Sequence, residues 1–219
     1  DLLGIAQSNN LSETAYVVKR DGEDDAWDLR WFTPGQEVDF CGHATLAAGA
    51  YLFEEGFVSG DAVRFRARVG PLDVRREAHG FVMDFPEVGF SPAAAARPGV
   101  AEALGLEPLE VYDVQRLHGA DYEMHVIGSE AGLAALRPDF AALERTGVNV
   151  IVTAPGKSAD VVSRFFAPGA GVPEDPVTGS AHCTLAPYWA RRLGRSRLSA
   201  RQIGPRPGAL EMEADGSGR

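Results

Sequence analysis

"QEVDFCGHATLAAGAYLFEEG", residues 36–56, decides how the rest of the chain is read. It opens as a strand and becomes a helix pattern, with apolar residues at Ala44, Leu46, Ala47, Ala50, Tyr51 and Phe53. Apolar side chains on nearly every face predict a helix over 43–55 that is surrounded by protein and stopped at Gly56. At its start stand Cys41, Gly42 and His43. These are a thiol, a bare backbone and a titratable ring, where a core helix needs only a cap.

The junction has a second copy. Gly42-His43-Ala44 followed by Tyr51 recurs as Gly179-Ser180-Ala181 followed by Tyr188, at one constant spacing. The later helix, predicted over 179–193, follows the Gly/Pro loop of "GAGVPEDPVTGSAHCTLAPYWARRLG" (169–194). Strand patterns precede both helices and also follow the first: 11–20, 26–34, 62–77 and 80–88 in the first half, and 110–117, 121–128, 149–156 and 160–168 in the second. In 62–77, Val63, Phe65, Ala67 and Val69 are expected on one face and Arg64, Arg66 and Arg68 on the other. A further helix is expected over 130–143.

The mirrored order predicts an internal duplication. The expected fold is α+β, with two pseudo-symmetric domains, each an antiparallel or mixed β-sheet curled around a central α-helix. The lobes are expected at 1–92 and 93–219, with the joint in the Pro/Ala-rich stretch "SPAAAARPGVAEALGLEP" (91–108).

Composition narrows the function. The 219 residues, 45% hydrophobic, suffice to bury a core. A formal charge of -10 argues against nucleic acid or an anionic membrane surface as partner. Lys19 and Lys157 are the only lysines, and neither lies in a phosphate-binding G-x-x-x-x-G-K-[ST] run. No apolar stretch reaches the roughly 18–20 residues of a membrane span. The opening "DLLGIAQSNN" lacks the basic end of a secretory signal and reads as the tail of a helix, so residues are expected to precede it. Two cysteines, Cys41 and Cys183, make no disulfide framework, and a cytoplasmic protein is expected.

If the lobes face each other, two helix N-termini converge on one cleft, which suits a small anion such as a carboxylate. Gly42 and Gly179 allow a ligand close to the backbone. Four reactive groups are candidates there: Glu13 in "NNLSETA", His43, Asp175 and Cys41. Each also has a plain structural reading, as a turn carboxylate, two helix caps and an inert buried thiol. The helix dipole favours a neutral His43 and a lowered Cys41 pKa, and Glu13 is expected to be raised by burial and nearby negative charge. No G-x-S-x-G elbow or G-x-G-x-x-G turn is present, and His118, His125 and the His182-Cys183 pair lack zinc spacing. Acid/base chemistry without metal or cofactor is what remains.

Three stretches, "NNLSETAYV" (9–17), "DLRWFTPGQEVDFCGHATLAAGAYLF" (28–53) and "EDPVTGSAHCTLAPYWARRLG" (174–194), closely resemble the phenazine biosynthesis PhzF-like family, relatives of diaminopimelate epimerase. The resemblance implies an active site between two similar domains, a homodimer, and a cofactor-independent isomerase of the trans-2,3-dihydro-3-hydroxyanthranilate type. It places the proton-carrying glutamate on Glu13, with His43 and Asp175 as further catalytic groups. Ser12, Gly42, Ala44, Thr178, Gly179 and Ser180 fall on substrate contacts. The epimerase relatives carry a cysteine ahead of each central helix. Cys41 fits the first position, but Pro176–Gly179 occupies the second and Cys183 lies a turn further in. One assisting thiol is therefore the most that is expected. Two alternatives stay open: a thiol-assisted amino-acid epimerase or racemase, and a non-catalytic small-molecule or protein-binding member of the fold.

Overall fold

A computed structural model describes residues 1–20, 22, 26–117, 119–214, 216 and 218; His118 lies outside the described residues. Contacts divide the chain into two compact units, 1–85 and 86–219.

The first unit runs α1 (Leu2–Asn9), β1 (Thr14–Lys19), β2 (Ala26–Phe32), β3 (Glu37–Val38), α2 (Gly42–Glu54), β4 (Ala62–Ala67), β5 (Gly70–Glu77) and β6 (Gly80–Met83). Its sheet has the order β1-β2-β4-β5-β6, with β3 on β2. β2 gives one edge to antiparallel β1. It divides the other between parallel β4 at Ala26–Asp28 and antiparallel β3 at Trp31–Phe32. Alternation along β2 buries Trp27, Leu29 and Trp31 and leaves Asp28 and Arg30 exposed. With Val63, Phe65 and Val74 they form the floor on which Ala44, Leu52 and Phe53 of α2 rest.

Gly49 sets how closely α2 lies on that floor. A methyl group there would sit 2.7 Å from Val74 Cγ1, far inside van der Waals contact. Gly49→Ala is therefore expected to destabilise the fold by about 1–3 kcal/mol through overpacking, despite alanine's better helix propensity. A urea midpoint equal to or above wild type would contradict this packing.

α2 is not enclosed as expected. Ala47, Tyr51 and Glu54 are exposed, and they lie on one side of the helix at the three- and four-residue spacing. Alanine-rich helices carry little amphipathic contrast, so the open stripe was invisible in the apolar count. Val69 also departs from the expected inward face: β4 ends at Ala67, and Val69 is exposed in the turn before β5.

The second unit runs β7 (Phe90–Pro92), α3 (Val100–Leu104), β8 (Glu110–Leu117), β9 (Ala120–Val126), α4 (Glu130–Ala135), α5 (Phe140–Thr146), β10 (Val148–Pro155), β11 (Val161–Ala167), β12 (Val172–Asp175), α6 (Gly179–Leu193), β13 (Arg197–Gln202) and β14 (Gly208–Glu213). Its sheet order is β14-β13-β11-β10-β9-β8-β7, with β12 on β11. β11 repeats the plan of β2: antiparallel β10 on one edge, parallel β13 and short antiparallel β12 sharing the other. α6 covers one face through Leu185 and Trp189 against Ile151, Phe165 and Leu198. Leu104, Leu133 and Leu143 from α3, α4 and α5 join Val150, Val152 and Phe166 in a separate cluster. Residues of both facings are thus covered, which is why β11 is buried throughout instead of alternating.

The fold is therefore α+β, each unit a mixed sheet built around a helix. Two boundaries differ from expectation. The division falls at Phe85–Pro86 and not at 92–93, because β7 pairs with β8 and belongs to the second sheet. The single helix expected over 130–143 is two, α4 and α5, broken before Pro138, which lacks an N–H and keeps its predecessor out of helical geometry. Asp139 restarts the chain as a cap, accepting from the Ala142 N–H at 2.9 Å. No helix among the described residues is long and apolar enough to cross a membrane.

Candidate active site

The first group forms where β3 hands over to α2. Cys41 is extended (φ -149°, ψ 107°) and occupies the cap position, but its side chain makes no capping bond. Instead its carbonyl accepts from the Thr45 hydroxyl at 2.6 Å and the Thr45 N–H at 3.1 Å, which anchors the first turn. His43 is the second helical residue, and its ring nitrogens lie 3.7 Å from Cys41 Sγ. Glu13 arrives from the turn after α1, where Asn10 adopts the left-handed conformation (φ 49°) and closes that helix. Glu13 Oε2 ends 3.1 Å from His43 Nε2.

Charge follows from that placement. Burial alone would raise the Glu13 carboxyl, but contact with His43, and then with Ser12 and Cys41, holds it below its ordinary 4.5. Contact with Cys41 and with the Glu13 carboxylate pushes His43 up to about 11, against the opposite pull of burial. Burial raises the Cys41 thiol, so the anion of the trio is Glu13. All three expectations are corrected: Glu13 is lowered, His43 is an imidazolium, and Cys41 is a neutral thiol. For Glu13 and His43 a full opposite charge at ion-pair distance outweighs the partial charge of the helix end, and for Cys41 burial does.

Ligand atoms of Glu13, Cys41 and His43 all lie within 4.8 Å of one another, a set that could reach one metal ion. Glu13 Oε2 lies at ion-pair distance from His43 Nε2 but is buried without an aligned hydrogen bond.

The second group forms where β12 hands over to α6. Thr178 is the extended cap residue (φ -109°, ψ 97°), and its hydroxyl donates to Asp175 Oδ2. Buried His182 donates from Nδ1 to the Thr178 carbonyl at 2.7 Å, as Thr45 does to Cys41. Burial lowers His182, so the ring is neutral. Gly179 and Ser180 open the helix. Cys183 donates to the Gly179 carbonyl at 3.4 Å, and burial pushes its thiol up to about 12, which leaves it inert.

Each unit thus assembles its own group. Ser12, Glu13, Cys41, Gly42, His43 and Ala44 gather in the first, and Asp175, Thr178, Gly179 and Ser180 in the second. Trp31 and Tyr122 are buried core residues. Sequence reasoning overlooked Thr45, His182 and Gln202. For Gln202 a signal existed: Leu198, Ala200 and Gln202 share the inward parity of β13, and an inward amide needs partners.

The repeated β-β-β-α-β-β plan and the three motif stretches find their counterpart in a family model. The model described as phenazine biosynthesis-like protein matches residues 1–219. The chain belongs to this family. An uncharacterized isomerase of Pseudomonas aeruginosa is 50% identical over 216 residues, covering 98% of this chain and 80% of that protein. The phenazine biosynthesis-like domain-containing protein 2 of Mus musculus is 36% identical over 238 residues, covering 98% and 81%. Among solved structures, a PhzF-family protein of Enterococcus faecalis superposes with TM-score 0.88 at 41% identity, over 98% of this chain and 80% of that one. A predicted epimerase of Pseudomonas aeruginosa, 20% identical with TM-score 0.68 over 99% and 82%, shares the fold with this phenazine biosynthesis-like chain.

Proposed function

We propose that this phenazine biosynthesis-like protein is a cofactor-independent isomerase that moves a proton within a small carboxylate-bearing substrate, of the trans-2,3-dihydro-3-hydroxyanthranilate type. The observation that carries the reading is the Glu13–His43 ion pair beside the start of α2. Relatives named as isomerases support the reaction class. In the proposed cycle the Glu13 carboxylate removes a proton from a carbon activated by a neighbouring carboxylate or enamine. Glu13 becomes a neutral acid, then returns that proton to a second carbon, so nothing is consumed. The His43 imidazolium supports the carboxylate and the negative charge that develops on the substrate. The family resemblance adds Asp175 as a further catalytic group and Ser12, Thr178 and Ser180 as substrate contacts, and the first amides of a central helix suit a carboxylate.

The working state needs Glu13 ionised and His43 protonated. Glu13 titrates below 4.5 and His43 at about 11, so both conditions hold across the neutral range. The profile of kcat/KM is expected to be flat from about pH 6 to about pH 9. A limb near the ordinary histidine value would mean that the pair does not exist in the free enzyme.

The reaction is tested by solvent-deuterium incorporation over a panel of cyclic and amino carboxylic acids. Binding without label would support a non-catalytic member of the fold. Because Cys41 is a neutral thiol, Cys41→Ser is expected to cost less than about tenfold in labelling rate, or ~1.4 kcal/mol. A loss as large as that of a Glu13 variant would shift the assignment to a thiol-assisted epimerase.

A further inference from the structure

Gln202 ends β13 on its inward face, almost fully buried, and spends its amide on one short loop. Its Oε1 accepts from the Thr178 N–H at 2.8 Å. Its Nε2 donates to the Asp175 carbonyl at 2.6 Å and to Thr178 Oγ1 at 3.1 Å. The Thr178 N–H needs an acceptor, and this fixes which end of the amide faces it. Both N–H bonds of the amide then point at Asp175 and at the Thr178 hydroxyl.

That last bond has a consequence for Asp175. A hydroxyl has one proton to give and two lone pairs to accept with. Once Gln202 donates to Thr178 Oγ1, the hydroxyl proton turns to its remaining partner, the Asp175 carboxylate. The start of α2 has no such device: Cys41 makes no side-chain cap, and the ionisable groups there hold one another.

We infer that Gln202 is a positioning residue, which sets the direction of the Thr178 hydroxyl and through it the orientation of Asp175. The inference rests on the reading above that Asp175 takes part in the reaction. Gln202 touches no substrate; it acts through Thr178.

The test is a double-mutant cycle of Gln202→Met and Thr178→Val, read as solvent-deuterium incorporation into the acid that wild type labels fastest. Each single variant is expected to lower kcat by about 10²-fold, the cost of misplacing a reacting group, with KM changing far less. The double variant should be no slower than either single one, because both remove the same link. Additive losses would overturn the inference, as would wild-type kcat in Gln202→Met. If that variant does not fold, Gln202→Asn keeps the amide but shortens its reach; it should lose kcat in the same direction, and wild-type kcat there would equally overturn it.

Amide hydrogen exchange needs no substrate. The Thr178 N–H should exchange about tenfold or more faster in Gln202→Met, and unchanged protection would refute the hold. Asp175→Asn separates the two levels. Wild-type labelling in that variant removes Asp175 from the proposed reaction, whereas its loss beside an active Gln202→Met removes only Gln202.

Discussion

Replacing Glu13 with glutamine is expected to slow deuterium incorporation into substrate by about 10²–10⁴-fold, the weight of a general acid/base group. Glutamine keeps the shape of the side chain but cannot carry the travelling proton. A second readout shows that the variant has lost the charge and not the fold. His43 stands at about 11 partly because the Glu13 carboxylate lies 3.1 Å away. In Glu13→Gln its imidazole should titrate closer to the ordinary 6.5, visible in proton NMR of the ring. The stability profile should change with it. The folded value of His43 is raised, so its contribution is fully present below 6.5 and lost as pH climbs through about 11. The folded value of Glu13 is lowered, so its contribution is present above 4.5 and lost as pH falls through the folded value. In the variant the Glu13 dependence should vanish and the His43 dependence should shrink, since contact with Cys41, the larger cause of its raised value, remains. Near-wild-type labelling with a released His43 would end the assignment of Glu13 as the proton carrier.

The elements were more legible than their partners. α6 follows the predicted span of 179–193, since Gly179 opens it and left-handed Gly194 (φ 68°) closes it. Strand alternation likewise gave the inward Val63 and Phe65 of β4. Periodicity reports a face, however, and not a neighbour or a direction. The parallel pairings of β2 with β4, β9 with β10 and β11 with β13 lie beyond it. The move of β7 into the second sheet was hidden for the same reason.

The site shows a similar split between identity and state. Glu13, Cys41 and His43 could be named because each stands at a loop-to-element junction, where side chains are free of core duty. Their protonation could not be read, because it depends on a 3.1 Å approach between residues of α2 and of the turn before β1. A dipole argument made on the helix alone left out the strongest charge nearby. Gln202 was hidden differently. Inward parity on β13 marks its amide as one that needs partners, but the three bonds to one loop that give it a role are not readable from parity.

Arg164 is the residue whose loss should cost the second unit most. Its guanidinium is nearly buried, with side-chain exposure of 9%, and pairs with Glu174 at 10%. Two parallel bonds join them, Nε to Oε1 at 2.7 Å and the second nitrogen to Oε2 at 2.8 Å, a fork geometry lysine cannot reproduce. The remaining nitrogen donates to the Leu133 and Leu136 carbonyls, at 3.2 and 3.0 Å, where α4 ends; the first also accepts from the Leu136 N–H at 3.3 Å and the second from Arg137 at 2.8 Å. One side chain on β11 therefore fastens β12 and closes α4. Arg164→Met leaves the Glu174 charge buried and unpaired, with an expected cost of about 3–5 kcal/mol in chemical denaturation. Adding Glu174→Leu should recover a large part of it, since replacing both ends of a buried pair is far milder than removing one. Failure of the second change to recover stability would assign the loss to the α4 carbonyls instead. A loss below about 1 kcal/mol in Arg164→Met would mean that the pair behaves as a solvated surface bridge. Function should follow the same order. Glu174 immediately precedes Asp175, so a loosened β12 displaces the carboxylate that the Thr178 hydroxyl holds and the carbonyl that Gln202 holds, and labelling should fall in Arg164→Met and return in the double variant.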